Sequence, residues 1–133
     1  MGKFTADLRA FEGRTEAKAD KIVLLFVLEA RTRIIVRTPV DTGRARANWQ
    51  YGFGSAPSGE IAGADKSGSS ASARIAGQIP AKAAGGVHYI VNNLSYIQSL
   101  EDGGSTQAPA GMVGVTLAEA DQILQRAVAA AGL

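Results

Sequence analysis

The triplet Asp41-Thr42-Gly43 has the clearest chemical precedent in this chain of 133 residues. Asp-Thr-Gly can present a carboxylate in a tight turn, and two such carboxylates sharing one proton form the acid–base pair of aspartic peptidases. A chain with a single triplet needs a second copy of itself to complete the pair. Its surroundings argue against that chemistry. Arg37 and Pro39 interrupt the strand that should lead in, and Arg44 stands where a small residue belongs. A cation beside the pair would lower its pKa and end the sharing. His88 is the single histidine and cysteine is absent, so a typical His/Cys zinc site and a cysteine nucleophile are both excluded. Glu101-Asp102 could hold a metal, but adjacent carboxylates after a helix more often face water. Gly85-Gly86 and Gly103-Gly104 are not phosphate loops, because no GxxxxGKS/T pattern accompanies them. No nucleophile, base and orienting group fall at suggestive spacing, so the sequence predicts a protein that is not an enzyme and takes no cofactor or metal.

The elements that position these residues follow from the apolar pattern. Phe4, Leu8 and Phe11 have helical spacing, with Thr5 a fair N-cap and Gly13 a kink or break. Residues 15–37 read as one long helix. Within it, 22–28 (IVLLFVL) is apolar on every side. Such a helix is covered on every side, and one small sheet covers only one, so the pattern predicts a neighbouring subunit. A buried strand is the rival reading, set aside because the pattern continues through Ile34, Ile35 and Val36. Thr38-Pro39 ends the helix, since a residue before proline is pushed out of the α region. Asp41 is expected to cap a short helical turn over 44–48, and 49–53 alternates as a half-buried strand does. Residues 54–70 are mostly Gly, Ser and Ala and cannot offset their own ordering entropy. They are expected to form a flexible loop that orders only in an assembly. A helix over 71–79 should stop at Pro80, a strand should run over 87–91, and Asn92-Asn93 should turn the chain. Two helical turns follow over 94–100. Pro109, suited to a first helical position, should open a last helix to Ala131 with Val113, Leu117, Ala120, Leu124 and Val128 as its buried stripe. The fold class is therefore α+β: a long N-terminal helix and a C-terminal helix packed on a small, mainly antiparallel sheet, with the loop as a source of one further edge strand.

Length predicts one domain. The longest apolar run, 22–28, falls short of the roughly 20 residues a membrane span needs, and residues 1–11 hold no signal-peptide core. The lack of cysteine fits a reducing cytoplasm. Net charge is +2 with a pI of about 9.2, and Arg31, Arg33, Arg37, Arg44 and Arg46 crowd into one short stretch. A nucleic-acid stripe is one reading. The absence of interleaved aromatics, which a base-stacking surface would need, favours a solvated face with ion pairs across a subunit contact.

Four pieces, FTADL, TPVDTGRARANWQ, YIVNNLSYIQSLEDG and QAPAGMVGVT, stand in that order along the chain. Together they resemble the tail-completion (neck, or minor tail) proteins of long-tailed bacteriophages, small virion proteins at the head–tail junction. The resemblance covers most of the chain and is loose over about residues 55–80. It rests on Pro39, Asp41, Thr42, Gly43, Arg44 and Trp49 in one stretch. In the other it rests on Asn92, Asn93, Tyr96, Glu101, Gln107, Pro109 and Met112. It implies that these are structural or interface positions. It also implies a homo-oligomeric ring, expected to be a hexamer, that completes the tail tube and docks to the head-closure ring of the connector. Genomic DNA would pass through the lumen without sequence-specific binding. The protein would be assembled in the bacterial host cytoplasm and would use no membrane. The alternatives from the residues alone are a small basic nucleic-acid-binding domain and, third, a small hydrolase built on Asp41.

Overall fold

The structure, a computed structural model, describes residues 2–132, with side chains from Thr15 onward. Helix α1 spans Gly2–Arg37 without interruption at Gly13; the proposed stripe of Phe4, Leu8 and Phe11 concerns side chains outside the described ones. Its end is closed from two directions. The Thr38 hydroxyl donates to the Ile34 carbonyl at 2.7 Å. Arg46 reaches back to donate to the carbonyls of Val36 and Thr38, both at 2.9 Å. A guanidinium on these orphan carbonyls also complements the negative end of the helix.

The one-turn helix α2, Arg44–Ala47, leads into β1, Trp49–Phe53. Helix α3 runs over Ser69–Gln78 and ends where Ile79 turns extended ahead of Pro80. A 3-10 turn at Ala83–Gly85 precedes β2, His88–Asn92. The Asp20 carboxylate fixes that turn to α1 by accepting the Ala84 N–H at 3.0 Å. The two strands form an antiparallel pair with Trp49 opposite Asn92, Tyr51 opposite Ile90 and Phe53 opposite His88. Short helices α4 (Ile97–Glu101) and α5 (Val113–Ala118) precede α6 (Ala120–Ala130), which packs along α1. The α+β architecture, with a long first helix, a C-terminal helix and a small antiparallel sheet, is as the sequence indicates, and the C-terminal helix packs on α1. The loop adds no third strand among the described residues.

The core joins Val27, Ile34 and Ile35 of α1, Trp49 and Tyr51 of β1, Ala71 and Ile75 of α3, and Ala108 and Met112. Two expectations about the C-terminal region are corrected. Pro109 is exposed in a turn, and the helix begins only at Val113, after Gly111 adopts a φ of 84°. A break at Glu119 then resets the helical phase. The buried side chains are Thr116, Ile123, Ala127 and Ala131, while Leu117 and Leu124 of the expected stripe are 67% and 45% exposed. Of residues 22–28 only Val27 is buried, and the other six are half-buried.

Candidate functional site

The two stretches that carry the resemblance meet in space. They wall a cleft of about 450 Å³, with Pro39, Asp41, Thr42, Gly43 and Arg44 on one side and Tyr96, Leu100, Ser105 and Gln107 on the other. Gln107 fastens them. Its amide oxygen accepts the Val40 N–H at 2.9 Å and its amide nitrogen donates to the Val40 carbonyl at 3.1 Å. A primary amide carries the same donor–acceptor pair as a peptide unit, so Gln107 imitates a strand partner where no strand runs. Nearby, the Asn92 amide donates to the Ala45 carbonyl at 2.9 Å, and its oxygen accepts the Leu94 N–H. That second bond is the side-chain turn the Asn pair predicts.

Asp41 is not a cap. The residue before α2 is Gly43, in the left-handed region at φ 93°, and the Thr42 hydroxyl, not Asp41, accepts the Arg44 N–H at 3.2 Å. Asp41 is exposed. A side chain at Gly43 would meet the Lys66 nitrogen at 2.6 Å, so glycine is required there twice over, by conformation and by space. The cleft is a shaped, polar-rimmed surface in which the hydrogen bonds join side chains to backbone.

No family model, curated protein or solved structure matches this chain.

The remaining residues of the second stretch hold the site in place. Glu101 does not face water as expected. Its carboxylate accepts the N–H groups of Met112, Val113 and Gly114 at 3.1, 2.9 and 3.0 Å, across the N-terminus of α5. Burial pushes the Glu101 pKa up, but these three donors outweigh it and the net shift is downward. Asp102 is exposed and accepts the Gln98 amide. Met112 is wholly buried, and the Trp49 indole donates to the Thr38 hydroxyl at 2.8 Å. Tyr96 is 41% exposed at the cleft rim. The His88 ring nitrogen Nε2 lies 2.6 Å from the Ala83 carbonyl, which can only accept, so Nε2 carries the proton and Nδ1 accepts the Tyr51 hydroxyl at 2.6 Å.

Sequence reasoning missed what holds residues 54–70. The segment has no helix or strand until Ser69, but this chain itself supplies partners for its backbone. Asn48, with no exposed surface, accepts the Ile61 N–H at 2.7 Å and donates to the Ile61 carbonyl at 3.1 Å. Gln50 and Asn93 both donate to the Gly59 carbonyl, and Asn93 also to that of Pro57. Asp65 accepts the N–H groups of Gly68 and Ala71, making it the anchor at the start of α3. A carboxylate shortly ahead of a predicted helix was the available signal for Asp65. Nothing in the local pattern marks Asn48.

The clustered arginines are engaged within the chain. Arg33 and Arg37 pair with Glu119, Arg44 pairs with Glu60, Arg31 donates to the Ser72 carbonyl, and Arg46 binds three carbonyls. The two guanidiniums hold Glu119 at a pKa of about 2, the Arg37 hydrogen bond being the largest cause.

Proposed function

We propose that the protein is a structural, ring-forming virion component at the phage head–tail junction, completing the tail end and docking to the head connector while DNA passes through the lumen. The observation that carries the self-assembly is the state of residues 22–28. This run is apolar on all sides, yet its own chain buries only Val27. Burial of apolar area is worth about 25 cal/mol per Å², so covering the rest of this half-buried helix face by a second copy would be favourable, which supports the self-assembly reading. The phage assignment rests on the ordered motif pieces, the last three of which line the cleft described above, the fourth through Gln107. The engagement of Arg31, Arg33, Arg37, Arg44 and Arg46 with carboxylates and carbonyls speaks against a nucleic-acid stripe.

The test has two parts. Native mass spectrometry across a concentration series should give a closed oligomer, expected to be a hexamer, and Leu24→Glu should leave a folded monomer. Antibodies to the protein should label the neck of intact virions from the source phage. A chain that stays monomeric at every concentration and is absent from virions would overturn the proposal.

A further inference from the structure

Asp41 is a carboxylate held in place with no bond of its own to make. Before it, Val40 has both main-chain groups bonded to Gln107. After it, the Thr42 hydroxyl accepts the Arg44 N–H, and the Gly43 carbonyl accepts the Asp65 N–H at 3.0 Å. The backbone of Asp41 is thus fixed on either side. Its side chain is exposed and makes no hydrogen bond or ion pair among the described residues. The one cation among the described residues lining the same cleft, Arg44, is already paired with Glu60 at 3.0 Å.

These facts restrict what fits the cleft of about 450 Å³. A body that covers Asp41 without a counter-charge strands a carboxylate away from water, which is costly. An anion meets Asp41 and finds Arg44 taken. A metal ion needs more ligands than one acid supplies, and no group of three His, Cys, Asp or Glu that could hold one occurs among the described residues. The cleft also offers Leu100 and the exposed Tyr96, whose hydroxyl has no partner among the described residues. A guanidinium suits both parts. It bonds a carboxylate through a planar fork and stacks on an aromatic face, and its stem is apolar.

We propose that the cleft is a receptor for an arginine side chain presented by a different polypeptide, with Asp41 as the paired acid and Tyr96 as the stacking face. A second copy of this chain is a poor source. Every arginine with a described side chain is bonded within its own chain, so supplying one would break those bonds. The fixed backbone around Asp41 leaves little to be ordered on binding, which favours affinity. The site does not depend on the ring reading, because it uses no residue of the 22–28 face.

The test is saturation-transfer NMR on the full chain with acetyl-arginine amide at millimolar concentration. Acetyl-citrulline amide, of nearly the same shape but uncharged, should bind roughly fivefold more weakly. Asp41→Asn, which removes no bond of the fold, should weaken the arginine probe by about the same factor and erase its advantage over citrulline. Tyr96→Leu should weaken it roughly threefold. Asp121→Asn, at an exposed acid on α6, should change nothing. Native mass spectrometry of Asp41→Asn should show the same oligomers as the parent. Any of five results would overturn the proposal: no binding of the arginine probe, equal binding of the two probes by the parent, affinity unmoved by Asp41→Asn or by Tyr96→Leu, an equal loss in Asp121→Asn, which would mean general charge attraction, or altered oligomers in Asp41→Asn, which would put a second copy in the cleft.

Discussion

Replacing Glu101 by alanine removes one carboxylate and strands three N–H groups at once. Met112 is wholly buried, so its N–H finds no water, and an unsatisfied buried donor costs about 1–3 kcal/mol. Val113 is half-buried and Gly114 exposed, so their loss resembles that of an ordinary N-cap, about 1 kcal/mol. The sum is about 3 kcal/mol, against a total stability for a domain of about 5–15 kcal/mol. With an unfolding entropy of about 2.1 cal/mol/K per residue, the melting temperature should fall by about 10 °C. Glu101→Gln keeps one accepting oxygen and loses the charge, and should fall by less than half as much. The pH dependence has a defined sign. The folded-state pKa of Glu101 lies below its ordinary value of 4.5. Its contribution is therefore complete above that value and is lost as pH falls through the folded-state pKa. Thermal melts by circular dichroism at neutral pH and between pH 5 and about 2 measure both effects. If Glu101→Ala melts within about 2 °C of the parent at neutral pH, the three hydrogen bonds do not hold α5 as described.

Other outcomes are expected of the same structure. Asn48→Ala should destabilise by about 2 kcal/mol and accelerate exchange of the Ile61 amide; an unchanged rate there would show that Asn48 does not pin the loop. Asp41→Ala should leave stability within about 0.5 kcal/mol of the parent, and a larger loss in a denaturant titration would mean that Asp41 has a structural partner after all. Glu119, held at about 2 by Arg37 and Arg33, should stabilise the fold above its ordinary 4.5 and lose that effect as pH falls toward about 2. Glu119→Gln should flatten this part of the acid titration, and an unaltered profile would remove Glu119 as its cause.

Both strands, α3 and the end of α1 were legible because each is specified locally: proline at 39 and 80 and apolar spacing mark their ends within two residues. The starts of α4 and α5 were not, lying three and four residues past the expected 94 and 109, and Gly13 does not break α1. The break at Glu119 was not legible, because the periodicity around it fits an uninterrupted helix. What favours the break is distant: Arg33 and Arg37 hold the Glu119 carboxylate from α1, and Glu101 fixes where α5 starts. Local sequence misplaces the role of Asp41 for a related reason. Asp-Thr-Gly fits a cap locally, but Gly43 is fixed by its approach to Lys66, a contact that sequence spacing does not reveal. Gln107 and Val40 were each within recognised motifs, yet their reciprocal bond depends on two segments folding together. The composition of residues 54–70 predicts mobility, but their anchors are side chains of the neighbouring segments.

That last arrangement separates the shape of the loop from its spelling. Residues 57–61 are gripped almost wholly through peptide groups, by Asn48, Gln50 and Asn93. Their own side chains contribute little beyond the Arg44–Glu60 pair, whose members are 50% and 45% exposed. Information about the path of the chain is thus stored at 48, 50 and 93, and the outward letters at 56, 58 and 60 are free to be rewritten. A short epitope or a cysteine label placed at Ser58 would ride on a fixed mount, reporting position without altering the frame beneath it.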